Sequence, residues 1–471
     1  MSLHWQKKIP SWPLWTIVTL STLFWAIHPM RVEAVAWAIN RKGLLSSLFF
    51  LSSILCYLHI TKKNTLKILG YTTLLGIMAL ASHPNTLILP LLLILLDIYP
   101  LKRTNTSQLG PPLTKITNVI KTFGLRIIEK VPLIICATSI SILTMISQRN
   151  IAAIANTNIL TTINNASYQL WFYIKETLIN LNQAPIYSPI NFNKPTPLII
   201  SIFLGLTLLT YYCYKNVSNK PYLSILGLCY IICLLPTLGI IQAGWITHAD
   251  RWSYLASIPV IIFITGLLLR YRKSNLILLA FIGLLLTQTY FQQQKLKLWK
   301  DNLSMFTYLY THNPQNNLFF KIKYAQALIE QNKLSKAKQI LIKERTTKNK
   351  HLKEAIYHFL YKISEKEHNT ANIIFYLQKC ITLNPLSHLN IERLEKLTIY
   401  YKQQNNPQQA TESQQKLHIL LPRIKERYKN NPTIHITPQS NRKNSMFKHP
   451  YTGNIYSTQV KSENKQVVEK M

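Results

Sequence analysis

Two short stretches of this sequence concentrate the residue types that do chemistry. The first runs from His28 to Gly43 and holds His28, Arg31, Glu33, Arg41 and Lys42. One carboxylate among three cations and an imidazole suits a phosphate: guanidinium forks grip its oxygens while a neighbouring base takes a proton. The second runs from Gln242 to Tyr254 and sets His248, Asp250 and Arg251 among Trp245, Trp252 and Tyr254. Such rings stack on a sugar, or they anchor a chain at a membrane interface. His83, before Pro84, is a third position, either a phosphate contact or an ordinary loop histidine. Glu33 and Asp250 are the candidate catalytic carboxylates, positioning the acceptor or the cations or serving as base. His28, Arg31, Arg41, Lys42, His83, His248 and Arg251 are the candidates for a lipid-linked phosphate. No metal is indicated, since no carboxylate pair has suitable neighbours. Cys229 and Cys233, four apart in an apolar run, lack histidine or acidic companions.

The competing reading is of scattered interface charges that snorkel toward water. The two readings make different demands. In a shared site, Glu33 and Asp250 must each reach a cation, because a bare carboxylate at that depth is costly. Snorkelling side chains have no reason to converge.

The elements that would position these stretches are apolar runs. Of 17 acidic residues only Glu33, Asp97, Glu129, Glu176 and Asp250 precede Lys300, so acids are scarce where lipid would be the solvent. Runs able to cross about 30 Å of hydrocarbon are Trp12 to Ile27, Leu44 to Ile60, Leu66 to Ala81, Thr86 to Ile98, Val131 to Ile146, Leu198 to Tyr214, Tyr222 to Ile241, Leu255 to Leu269 and Leu276 to Phe291. The expected fold is therefore all-α, a polytopic bundle of about nine spans over residues 1–300. With the N-terminus inside, the inner segments carry sixteen Lys and Arg and the outer loops seven, and the positive-inside rule selects that orientation. Both charged stretches then lie outside, and so does everything after the ninth run. Within an outer segment at 148–195, Ser167 to Leu181 reads as an interfacial helix or as an ordinary packed one.

From Asp301 the pattern changes to amphipathic helices with short polar breaks. Pro385 and Pro422 end similar stretches 37 residues apart, and Leu318 to Glu330 with Leu334 to Lys343 forms a helix pair with the small Ala337 at its contact. Residues 301–430 are therefore expected to stack as a short α-solenoid of tetratricopeptide type that presents a surface to a protein or peptide. Residues 431–471 are polar, basic and unpatterned, and are expected to be disordered. The net charge of +36 is shared by both halves, which points to anionic membrane lipids or a lipid-linked phosphate rather than nucleic acid. The codon bias of an AT-rich genome is the other source of such a surplus.

The stretch His28 to Gly43, the elements Asp97 to Leu101 and Ala249 to Leu255, and Trp299 with Asn302 leading into repeats that end at Pro314 together resemble one family. It is that of the transmembrane and tetratricopeptide-repeat-containing O-mannosyltransferase-like proteins and their bacterial relatives, and the resemblance runs from about Leu14 to Pro422. It implies a multi-span glycosyltransferase-like protein of the bacterial inner membrane, with cytoplasmic N-terminus and periplasmic repeats. Sugar would move from a polyprenyl-phosphate carrier, a substrate and not a cofactor, to a protein acceptor held by the repeats. The family is expected to open with a further span and an acidic outer loop resembling the general base. This sequence opens at what matches the third span, and Met1 to Ser11 hold no carboxylate. On that reading the reading frame is truncated, a separate chain supplies the base, or transfer has been lost and the protein is a membrane-anchored scaffold.

Overall fold

The protein is seen in a computed structural model that describes residues 11–61, 63–103, 124–150, 159–180, 184–187, 196–215, 221–239, 247–271, 273–312 and 317–427. Most of these are helical, with no strand among the described residues. The chain divides into two compact units, Met1–Trp299 and Lys300–Met471. Met1 to Pro10, Gln242 to Ile246 with Trp245, Pro314 and the tail 431–471 lie outside the described residues.

In the first unit, helix α1 is Ser11–Ala26, α2 Arg31–Ala36, α3 Arg41–Leu58, α4 Thr65–Ser82, α5 Leu89–Ile98 and α6 Val131–Asn150. Then come α7, Ile159–Leu178; α8, Pro197–Lys215; α9, Pro221–Leu234; α10, Ser253–Arg270; and α11, Asn275–Leu298. Each apolar run overlaps one of them; Thr86 to Ile98 starts ahead of α5, and Tyr222 to Ile241 runs past the end of α9, its last two residues lying outside the described residues. Four segments, Ala38–Leu58, Thr65–Ser82, Asp250–Arg270 and Asn275–Leu298, are long and apolar enough to cross a membrane, and the apolar stretches of the others span 10–17 residues. In the shorter Pro84–Ile98, Pro90 sits in the first turn of α5, where its missing N–H is not needed.

Helix contacts in this unit use small and hydroxyl residues. Ser46 Oγ donates to the Ala79 carbonyl at 2.8 Å and Ser53 Oγ to that of Thr72 at 2.8 Å, which joins α3 to α4. At Gly76 an added Cβ would meet Leu133 Cδ2 of α6 at 2.6 Å, so α4 and α6 approach too closely there for a side chain. Large aliphatic residues face outward instead: Leu48 and Leu55 on α3, Leu66 and Leu74 on α4, Leu276 and Leu286 on α11. Hydroxyl contacts between helices and leucines that face outward are a distribution that lipid favours and water does not.

The second unit begins with α12, Asn302–Thr311, followed by three helix hairpins: α13 Leu318–Glu330 with α14 Leu334–Lys343, α15 Lys350–Lys366 with α16 Thr370–Leu383, and α17 Asn390–Gln403 with α18 Pro407–Arg427. Each hairpin turns on one left-handed residue: Asn332 (φ 58°), His368 (φ 55°) and Asn405 (φ 54°), spaced 36 and 37 apart. Each turn is closed by the same bond, from an N–H to the carbonyl five residues earlier: Lys333 to Leu328 at 2.9 Å, Asn369 to Ser364 at 3.0 Å and Asn406 to Tyr401 at 2.9 Å. This bond satisfies a helix-end carbonyl. One turn used three times at near-constant spacing is a structural repeat, more regular than the prolines from which a period was read. Pro385 does follow a helix end, but α18 continues through Pro422 to Arg427. Ala337 is fully buried at the α13 and α14 contact, as expected of the small residue there. A fragment of residues 300–430 should give a helical circular dichroism spectrum and melt cooperatively. A gradual melt would contradict independent folding of these hairpins.

Candidate functional site

The two charged stretches meet. The guanidinium of Arg251 pairs with Glu33, and the Arg251 backbone N–H donates to Glu33 Oε2 at 2.9 Å. Arg251 also lies 4.8 Å from the ring centre of Trp37 and 5.4 Å from that of Trp252, which adds cation–π attraction. Residues 218 apart in sequence thus share one structure at the α2 end of the unit. Burial pushes the Glu33 carboxyl up, against the pull of Arg251.

Asp250 reaches a different cation. It pairs with Lys295 of α11, and Tyr187 Oη donates to its Oδ1 at 2.7 Å. Helix geometry explains the pairing. About 20 residues of α11 at 1.5 Å each retrace the length of α10, so a residue near the end of α11 returns to the start of α10. Both side chains are almost fully buried, 1% and 0% exposed. The demand placed on a shared site, a cation for each carboxylate, is met at both.

Arg31 sits deeper, 4% exposed. Its Nη2 donates to Ser253 Oγ at 2.9 Å, and Ser253 Oγ in turn donates to the Asp250 carbonyl at 2.7 Å. The guanidinium lies beside the touching rings of Trp25 and Tyr254, 5.5 and 5.4 Å from their centres. Its Nε and Nη1 are buried and have no hydrogen-bond partner. Burial lowers its pKa to about 10, which still leaves it charged at neutral pH.

Two of the histidines also cap turns. Both His-Pro pairs build the same turn, in which the N–H two residues on donates to imidazole Nδ1: Met30 to His28 at 3.3 Å and Asn85 to His83 at 3.2 Å. An accepting Nδ1 puts the ring proton on Nε2. Burial, with Arg31 and Lys295 nearby, holds His28 well below its usual pKa; burial, Lys42 and Arg251 bring His83 down to about 4. His248 also falls to about 4 by burial, its ring stacked on Tyr187 at 4.7 Å and met edge-on by Phe172 at 4.8 Å. All three are neutral near pH 7 and bring no positive charge to an anion. Arg41 and Lys42 open α3 as exposed side chains. Lys42 acts electrostatically on His83, whereas Arg41 has no ion-pair partner among the described residues.

Sequence reasoning missed Lys295, Tyr173, Tyr187 and Glu176. Lys295 follows the last apolar run and reads as an exposed tail, although a buried Asp250 required a cation and α11 is long enough to bring one back. Tyr173 Oη donates to the Ala249 carbonyl at 3.0 Å and accepts the Ala249 N–H at 3.1 Å, which fixes the backbone just before Asp250. The helix read from Ser167 onward begins at Ile159 and packs against α8 and α10. Its buried face is largely polar, with Asn164, Gln169, Glu176 and Thr177, while Ile163 and Trp171 are exposed.

A second cluster lies among α3, α5 and the start of α6. Asp97 accepts from Lys130 at 2.6 Å, Arg103 at 3.0 Å and Tyr57 Oη at 2.7 Å, and Arg103 also holds Glu129 with two bonds of 2.8 and 2.9 Å. Its charges face one another and are satisfied, as a structural network requires.

No group of three or more histidine, cysteine, aspartate or glutamate side chains among the described residues is placed to hold a metal. Compared with known protein families, with curated proteins and with solved structures, the chain matches none.

Proposed function

We propose that the protein is a nine-span membrane protein related to glycosyltransferases that act on polyprenyl-phosphate sugars, with an outer site for the lipid-linked phosphate and tetratricopeptide-type repeats that hold a protein acceptor. The observation that carries this reading is Arg31. A buried cation with two unsatisfied donors, set beside Trp25 and Tyr254, offers an anion two charge-assisted hydrogen bonds. Glu33 and Asp250, each tied to a cation, hold the surrounding positive charge in place. The apolar helices that fit a lipid environment and the three-fold recurrence of the hairpin turn support the two-part architecture.

Reconstitution with labelled polyprenyl-phosphate sugars tests the reading. Transfer of label to protein supports it, and bound lipid phosphate without transfer leaves a phosphate-binding scaffold. The scaffold reading has its own support in the engaged state of both carboxylates. Nine spans place the repeats outside the cytoplasm, so a reporter active only outside should work when fused after Pro422. Activity only from a cytoplasmic reporter fused there would overturn the span count and orientation.

A further inference from the structure

The inward face of α7 carries more unsatisfied hydrogen-bonding groups than a folded interior tolerates. Gln169, Tyr173, Glu176, Thr177 and Asn180 follow one another at helical spacing and share a face; Asn180 extends it just past the helix end. All five are almost fully buried. Tyr173 is spent on the Ala249 backbone. Gln169 Oε1, Glu176 Oε2, Thr177 Oγ1 and both amide atoms of Asn180 have no partner. More than nine in ten buried polar groups are ordinarily paired, so five such atoms on one stripe call for an occupant.

The stripe adjoins the site already described. Glu176 lies within electrostatic reach of Asp250 and Lys295, and the ring of His28 faces the Thr177 backbone. One Glu176 oxygen accepts from half-exposed Lys175 at 3.2 Å, and the other is free.

The free atoms describe the occupant. Gln169, Glu176 and Asn180 offer acceptors, Asn180 also offers a donor, and the Thr177 hydroxyl does both. An anion would face three acceptors, one of them a carboxylate. A cation would face one carboxylate already neutralised in part by Lys175, with Lys295 nearby. A neutral group bearing several hydroxyls matches, because each hydroxyl donates and accepts, and groups about one helical turn, 5.4 Å, apart can meet different hydroxyls of one ring. We propose that this stripe of α7 is a subsite for the hydroxyl groups of a sugar, with Glu176 Oε2 as its charged acceptor. The identification of that sugar with the group carried on the lipid phosphate rests on the proposed function; the hydroxyl recognition does not. The two halves of the site would divide the donor between them, Arg31 taking phosphate and α7 taking sugar.

The test uses the full chain in lipid nanodiscs with two probes, the methyl glycosides of glucose, galactose and mannose, and undecaprenyl phosphate. At least one glycoside should bind the wild-type chain. Glu176→Gln and Asn180→Ala should each weaken that binding by about ten-fold or more, the loss expected for a hydrogen bond to a charged or buried group, with undecaprenyl phosphate affinity unchanged. Thr177→Val, which removes an unpartnered hydroxyl from a buried position, should fold at least as stably and still weaken the glycoside, so misfolding cannot mimic the result. If no glycoside binds, or if these variants bind it as tightly as wild type, the subsite is overturned whatever undecaprenyl phosphate does; a peptide probe displaced by the same variants would overturn it in favour of an acceptor groove. If a glycoside binds through Glu176 and undecaprenyl phosphate binds nowhere, the subsite stands and the lipid-phosphate reading falls.

Discussion

Replacing Lys295 by methionine should destabilise the first unit by about 3–5 kcal/mol, the cost of leaving one member of a buried pair without its partner. Asp250 is 1% exposed and its remaining side-chain contact is the Tyr187 hydroxyl, so loss of the ammonium strands a carboxylate where water cannot replace it. The damage should spread to the candidate site, because the Asp250 backbone carbonyl holds Ser253 and Ser253 holds Arg31. Adding Asp250→Asn to Lys295→Met should recover most of the loss, since the pair is then absent on both sides. Thermal unfolding of the full chain in detergent reads all three proteins. A loss below about 1 kcal/mol, the range of surface pairs, would contradict burial of this pair.

A loss of similar size, again about 3–5 kcal/mol, is expected from Asp97→Asn in the second cluster. Lys130 is 1% exposed and spends its three donors on Asp97 at 2.6 Å, the Tyr57 hydroxyl at 2.7 Å and the Arg126 carbonyl at 2.9 Å. The amide keeps the shape of the side chain but removes the charge, and the next carboxylate, Glu129, is 3.7 Å from the ammonium. Asp97→Asn with Lys130→Met should regain most of the stability. Binding of undecaprenyl phosphate should be unaffected in whatever fraction remains folded, because this cluster is satisfied within itself and offers an anion nothing. Weakened binding at full stability would move the site to this cluster.

What could be read in advance follows from the range of each interaction. Apolar runs and the pair Leu318–Glu330 with Leu334–Lys343 were legible because helical periodicity is local, and the helices fall on them. The convergence of Glu33 with Arg251 was legible as a requirement, since two carboxylates beside apolar runs need cations. Lys295 was not, because its meeting with Asp250 depends on how α10 and α11 fold back on one another, and the polar residues around it resemble a solvated end. The polar face of α7 was hidden for the opposite reason. Its sequence shows aromatic and aliphatic residues at helical spacing, and nothing local says that Gln169, Glu176 and Thr177 turn inward while Trp171 turns out. The His-Pro pairs read as phosphate contacts or as ordinary loop histidines, and the turns they cap through Nδ1 could not be told from phosphate binding by residue type alone. Pro422 looked like a helix end, yet α18 passes through it.

The central claim is that Arg31 offers its free guanidinium face to a lipid-linked phosphate, and its most direct test is the affinity of undecaprenyl phosphate for the wild-type chain and for Arg31→Met in nanodiscs. Methionine is apolar and can lie against Trp25 and Tyr254, and it removes a buried cation that has no carboxylate within ion-pair distance among the described residues. The account predicts binding weaker by about 10- to 100-fold, the equivalent of charge-assisted hydrogen bonds worth about 1.5–3 kcal/mol, at a melting temperature equal to or above that of wild type. Equal affinity for the two proteins, with both folded, would contradict it.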